Sequence, residues 1–382
     1  MIIAAMYSGP SANETGEGGG DVPTYVNRYT WNAGSANVYS DGFTESFFYK
    51  KFSTNTYYYS NGSTGGNCLK PLPNPSETEY WIRLCFKGNK DAGYSSNDYW
   101  QAALRYYDAT NKYRTIGGLI INGLNIYWSV RNPTVAGSPE VNRQTIGSMA
   151  NIAVDTVKGA VYFDIRIFLD PVAGFVQIYD YTGTKVGEFL GKTTTALLPT
   201  HVDLSIRQMD TYSMPPLFAI CANEPTMGMY MVPMRAKAEG ADQDHSAGTY
   251  SNFAIRKMTL NSNVVTLSAP AATTAKYSVI PKNMTDVSLP ANYVVRALQI
   301  VTSIDGVSAG LDPLIPIQTL RIRSSGEQYD YAYVKGITPN TDNLINRQYQ
   351  SQSTILNTNP KTGLAWTVED MADIEIGVKV TG

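Results

Sequence analysis

The chain has 382 residues, too long for one ordinary core, so two domains are expected. Charged residues make up 16% and the formal net charge is −2, which advertises no attraction to nucleic acid or to an anionic membrane. With 27 Tyr, 32 Gly and 20 Pro, the composition leans to all-β structure with many turns, because a Tyr ring packs on a pleated surface while its hydroxyl stays wet.

Along the chain, residues 2–6 are apolar and suited to adding as a strand to a neighbour or docking as a tail on a partner. Residues 8–22 are polar and Gly-rich and read as a flexible linker. Aromatic residues between 25 and 52 suggest short strands. Residues 55–67 read as a loop with a tight turn at Asn61-Gly62. Pro71, Pro73 and Pro75 confine the next piece to an extended connection, and 79–86 is then a strand before a loop with Gly88 and Gly93. Residues 100–107 fit a helical stripe as well, but their β surroundings favour a strand. Asn122-Gly123 between two apolar runs is a strong hairpin signal.

The most ordered signal is the meander at 159–191. Val161, Phe163, Ile165, Ile167 and Leu169 point to one face, and Tyr162, Asp164, Arg166 and Phe168 to the other, a period of two that specifies a strand. Asp170-Pro171 breaks the run, 175–181 returns, and a turn at Tyr181-Thr182-Gly183 leads into 185–190. Val202, Leu204 and Ile206 alternate next, 215–221 reads as a buried run, and Met227, Met229 and Met231 share one face of an extended segment as core filler. Residues 239–249 are polar, 251–260 is a last strand, and 261–290, with three prolines, is an interdomain stretch with room for a strand or two. Alternation resumes at 294–300, 319–323 and 329–334. It closes with Ile374, Ile376, Val378 and Val380 inward and Glu375 and Lys379 outward, after a single helical turn at 367–371. No repeat of fixed period is present.

The meander, read as Phe163 to Ile167, Gly174, Val176 to Tyr179 and Gly183, resembles the concanavalin A-like jelly rolls, especially their laminin-G-like branch. Over residues 24–262 that resemblance implies two packed antiparallel sheets of a kind often used for glycan or protein binding. Asn359-Pro360-Lys361-Thr362-Gly363-Leu364-Ala365-Trp366-Thr367, followed by Ile374-Glu375-Ile376-Gly377-Val378, looks like the close of small β-domains in virion proteins of tailed bacteriophages. Over residues 291–382 this implies membership in a phage particle.

Reactive chemistry is sparse. Cys68, Cys85 and Cys221 form no disulfide framework and no metal-ligand spacing, and Cys85 reads as a buried reduced thiol. Of two histidines, His201 opens a strand and reads as structural or surface-bound. His245 ends the cluster Asp242, Asp244, His245, which has the residue types for a cation but reads better as a solvated loop. Glu77 and Glu79 share a strand face with Trp81, yet lack the third carboxylate of the laminarinase-like pattern and read as a solvated edge. The repeated Tyr-Asp-Tyr at 179–181 and 329–331 could stack on sugar rings or line an interface but reads better as β-propensity, and Arg321 with Arg323 is too little for a nucleic-acid footprint.

The start of the chain lacks the basic residues of a signal peptide, and no run of about 18 apolar residues crosses a membrane. The expectation is a soluble, all-β protein made in a reducing compartment: a concanavalin A-like jelly-roll sandwich followed by a smaller antiparallel β-sandwich. The expected division is a flexible segment 1–23, the jelly roll 24–262, a linker 263–290 and the small sandwich 291–382. Its expected role is a non-enzymatic structural component of a phage virion (fibre, collar, baseplate or capsid decoration), meeting other virion proteins as a homo-oligomer. No catalytic residue, cofactor, metal, nucleic acid or membrane insertion is expected. The alternative is a lectin module that binds a host surface glycan, with a glycoside hydrolase ranked third.

Overall fold

The computed structural model describes residues 2–8, 29–32, 49–51, 58–60, 69–72, 77–87, 99–107, 113–156, 160–195, 197–204, 216–234, 236–243, 245–247, 266–267, 275–281, 294–304, 315–322, 329–333, 350–372 and 374–381. Cys68, the loop with Gly88 and Gly93, the strand expected at 251–260 and nearly all of the linker at 8–22 lie outside them. The chain parts into two compact units. One holds Gly20–Val38 and Gly42–Met229; the other holds Met1–Gly19, Tyr39–Asp41 and Tyr230–Gly382. Along the chain, the first unit gives way to the second at Met229/Tyr230.

The first unit is an antiparallel two-sheet sandwich, the jelly-roll architecture. One sheet runs, in spatial order, Lys185–Gly191, Gly174–Asp180, Ala160–Phe168, Glu79–Lys87, Pro216–Ala222 and Tyr29–Asn32, with Val154–Asp155 paired beside Ala160–Phe168. The other runs Glu140–Ser148, Asn125–Arg131, Tyr113–Asn122, Tyr99–Tyr107, His201–Asp203 and Leu69–Pro71. Tyr99–Tyr107 is therefore a strand, its helical stripe overridden by pairing on both sides. Tyr58–Ser60, expected as loop, pairs with Tyr49–Lys51.

Period-two alternation fills the space between the sheets. Val161, Phe163, Ile165 and Ile167 join Val176 and Ile178 from one side and Leu104, Leu119, Ile121, Ile126, Trp128 and Val130 from the other. Phe86 stacks on Phe163 at 5.9 Å between centroids. Cys85 and Cys221 are buried and not disulfide-bonded. At one side the sheets touch backbone to backbone: a Cβ on Gly187 would lie 2.0 Å from the Ile146 carbonyl oxygen. Only glycine allows that approach.

Two carboxylates close the meander's turns. Asp170 Oδ1 accepts from the Val172 and Ala173 N–H groups, both at 2.7 Å, and these bonds hold its carboxyl below the usual range. Asp180 Oδ1 accepts from the Thr182 and Thr184 N–H groups at 2.9 and 3.1 Å, around Gly183 at φ +82°.

The outward face of this sheet departs from expectation. Asp164 is fully buried, as is Arg83 opposite it, and Arg83 Nη1 donates to Asp164 Oδ2 at 2.5 Å. Thr226 Oγ1 donates to Asp164 Oδ1 at 2.7 Å, and the guanidinium lies 4.8 Å from the Tyr162 ring centroid. Thr226 also accepts, through its carbonyl, the Met229 N–H of a turn with Gly228 at φ +77°. That turn breaks the Met stripe: Met229 is buried and Met227 is exposed.

The second unit contains a sheet ordered Tyr230–Met234, Ile2–Ser8, Val294–Ile304, Gln350–Leu356, and another ordered Ala236–Gln243, Ala275–Pro281, Ile374–Thr381, Ile315–Ile322, Tyr329–Tyr333. The apolar start of the chain is thus an inner strand. Leu298, Ile300, Leu320, Ile322, Trp366, Ile374 and Ile376 are buried. Glu375, expected outward, is buried against Arg321 at 3.1 Å, a pairing that supplies the compensation a buried charge needs. Thr367 and Asp370 cap the short helix Val368–Ala372 reciprocally, at 3.1 and 2.9 Å.

Candidate functional site

Strand parity places a polar constellation on the outer face of the six-stranded sheet. Leu104, Val202, Trp128 and Val130 point into the core, so Arg105, His201, Asp203, Ser129 and Arg131 project the other way. The register sets His201 opposite Arg105 and Asp203 opposite Ala103.

Each arginine there is matched by a carboxylate. Arg105 Nη2 donates to Asp203 Oδ2 at 2.7 Å, and its Nη1 to Thr115 Oγ1 at 2.9 Å. Arg131 Nη2 donates to Glu140 Oε2 at 3.2 Å; Ser129 Oγ donates to the same oxygen at 2.7 Å and accepts from Arg131 Nε at 3.1 Å. The Arg131 guanidinium lies 5.1 Å from the Trp100 ring centroid. A loop forms one wall. Asn132 N–H donates to the Pro139 carbonyl at 3.0 Å, and Ser138 Oγ accepts from the Thr115 N–H at 3.0 Å. Ser138 sits at φ +45°, a left-handed conformation held by these loop bonds. Between wall and sheet lies a cavity of about 240 Å³ lined by Trp100, Gln101, Arg105, Thr115, Arg131, Ser138 and Asp203, with Ala102, Ala103 and Gly137.

His201 borders this face. Its Nδ1 lies 2.9 Å from Thr200 Oγ1, and partial burial pushes the imidazole pKa below its usual value, favouring the neutral ring at neutral pH.

Gly118 seats the aromatic member. A Cβ there would lie 2.8 Å from Trp100 Cζ3, 2.5 Å from the Ala102 carbonyl oxygen and 2.9 Å from Ala103 Cα. Two of the three obstacles are backbone. Gly118→Ala is expected to lower stability by about 1–3 kcal/mol and to displace the Trp100 ring. Thermal melting and the shift of tryptophan emission would check both effects, and an unchanged melt with unchanged emission would refute the seat.

The sequence candidates fall elsewhere. Glu79 lies in the seven-stranded sheet, on Glu79–Lys87, and accepts from Arg166 Nε at 2.7 Å, so it forms an ion pair rather than half of a catalytic carboxylate pair with Glu77. Tyr179 stacks on Trp81 at 5.7 Å, whereas Tyr181 is exposed. Asp242 and His245, expected in a loop, fall on the strands Ala236–Gln243 and His245–Ala247, and Asp244 lies outside the described residues. Backbone pairing with Ala275–Pro281 and Thr266–Leu267 overrides their polar character. Among the described residues no group of three or more His, Cys, Asp or Glu could hold a metal ion.

The fold and site together define an all-β jelly-roll sandwich with a charge-paired, Trp-bearing pocket on one sheet. No family model matches the chain, and no curated protein matches it. Among solved structures it is similar to the alginate lyase of Klebsiella pneumoniae, with 11% identity and a TM-score of 0.22, over 40% of this chain and 59% of that one. It is also similar to a family 7 alginate lyase, A1-II', with 11% identity and a TM-score of 0.28, over 54% of this chain and 94% of that one. A third is the CBM2 module of the evolved Dit of Lactobacillus casei BL23 phage J-1, with 9% identity and a TM-score of 0.28, over 58% of this chain and 98% of that one. With alginate lyases among the similar structures, the expectation that the chain is not an enzyme is withdrawn.

Proposed function

We propose that the sandwich recognises carbohydrate through the pocket at Trp100, and that the chain serves as a component of a tailed-phage particle. The observation that carries the first part is the pocket's make-up: an indole beside two guanidinium–carboxylate pairs, an amide and hydroxyls. Sugar rings present apolar C–H faces that stack on an aromatic ring, and hydroxyls that donate and accept at once. At about 240 Å³ the cavity is smaller than the roughly 300–1,000 Å³ that encloses a drug-sized ligand, so it suits one ring of a chain that continues past it. The second part is supported by the stretch from Asn359 to Val378 and its likeness to phage virion domains. In that setting the chain meets other virion proteins, in several copies.

An array of immobilised neutral and acidic polysaccharides tests the glycan reading. Specific binding that Trp100→Ala weakens by about tenfold or more, about 1.4 kcal/mol, is the expected result. Binding to nothing on the array, or binding indifferent to Trp100→Ala and Arg105→Ala, would overturn it.

A second reading, cleavage at the same face, is supported by His201, whose backbone is in register with Arg105 and whose imidazole is held by burial toward the neutral form that accepts a proton. Shortened chains in the same incubations, lost in His201→Ala, would establish it.

A further inference from the structure

We infer that the pocket selects uncharged glycans and rejects uronate-bearing ones, an inference that rests on the carbohydrate reading above. Among the described residues its charged lining is Arg105, Arg131 and Asp203. Arg105 is matched by Asp203 at 2.7 Å and Arg131 by Glu140 at 3.2 Å. Glu140 is not part of the lining but pairs with Arg131 at its edge, so that, counted with it, the two described cations are matched by two described anions.

A guanidinium carries five N–H donors and a carboxylate about four lone-pair sites, so an ion pair of the two can hold further hydrogen-bonding groups. A sugar diol can accept from the guanidinium with one hydroxyl and donate to the carboxylate with the other. A uronate carboxylate only accepts. To be held by Arg105 or Arg131 it must approach Asp203 or Glu140 as a like charge, in a setting where the Asp203 side chain is only 5% exposed and screening is weak. It would otherwise have to break a formed ion pair and leave a carboxylate uncompensated. Ser129 ties Glu140 down further, at 2.7 Å, so that carboxylate does not swing away at no cost.

The test compares soluble dextran and galactomannan with alginate and polygalacturonate at low ionic strength, on the full chain. The expected result is binding to at least one neutral polymer, at least about tenfold tighter than to either polyuronate. Removing one anion should invert the preference: Asp203→Asn leaves Arg105 as a net cation and should bring polyuronate binding up by about tenfold or more. Glu140→Gln, at a side chain 35% exposed, makes the same change at the other pair and serves where Asp203→Asn does not fold, as judged by its melt. Polyuronate bound as tightly as the neutral polymers, through Trp100, would sink the selectivity while leaving carbohydrate recognition standing. Failure of all four polymers and of the whole array would remove both.

Discussion

Asp164→Ala is expected to cost the sandwich about 3–5 kcal/mol, a drop in melting temperature of roughly 6–20 °C for a unit of this size. The reason is Arg83 rather than Asp164 itself. Both side chains are buried, at 1% and 0% exposure, and the guanidinium would stay in the interior without its counter-charge. Burial pushes the Asp164 carboxyl pKa up, while Arg83 and the Thr226 hydroxyl pull it down. Removing the carboxylate also takes away the acceptor of Thr226, whose turn ends at Met229. The double replacement Arg83→Met with Asp164→Leu should behave differently. With no charge left in the interior it should recover most of the loss, and such swaps elsewhere are often neutral or stabilising by about 1–4 kcal/mol. Urea melts of both single variants and the double variant give the coupling energy. A double variant as unstable as the sum of the singles would show that the pair contributes through packing alone.

Asp164 also marks where sequence reading stopped. The inward series Val161, Phe163, Ile165, Ile167 was legible because a period of two survives any environment, and each of those side chains is in the core. The opposite series carries the charged Asp164 and Arg166, residue types that are mostly exposed. Arg166 does lie part-exposed on Glu79. Asp164 does not, because a charge can enter the interior when a partner arrives from a distant strand, and Arg83 is 81 residues away. The same limit hid Glu375, paired with Arg321 across 54 residues. Trp366, in the C-terminal stretch, is a buried side chain whose indole N–H donates to the Leu356 carbonyl at 2.8 Å. The candidate site was hidden more completely. Trp100, Arg105, Arg131 and Asp203 come from three strands and share no motif. The one available signal was the alternation His201, Val202, Asp203, Leu204, which puts two polar groups on the face opposite the core. Without the pairing of His201–Asp203 with Tyr99–Tyr107, nothing in the sequence brings that face to Arg105.

Trp128→Ala should be comparably damaging, at about 3–5 kcal/mol. Trp128 is among the largest fully buried side chains, and its strand lies in the six-stranded sheet. Its indole N–H points to the Thr193 carbonyl at 3.4 Å, a long bond, in the segment that follows the meander. Thr193 in turn donates through its hydroxyl to the Phe168 carbonyl at 2.7 Å and accepts from the Asp170 N–H at 2.9 Å. Truncation would open a cavity in the core and remove one link from that chain of bonds between the sheets. Trp128→Phe keeps most of the ring and loses only the weak donor, so about 1–2 kcal/mol is expected. The two variants also separate scaffold from site. Ser129 and Arg131, on the same strand, face the pocket, and Gly117 lies against the indole, where a Cβ would sit 2.8 Å from Trp128 Cζ2. Collapse of the strand into the cavity left by alanine would shift Arg131 away from Glu140 and Trp100. Glycan affinity should therefore fall with Trp128→Ala even at temperatures where the chain is folded, and hold with Trp128→Phe. Equal affinity in both folded variants would mean that the pocket's geometry is set from its own face, by Glu140 and Ser129, and not by the core beneath it.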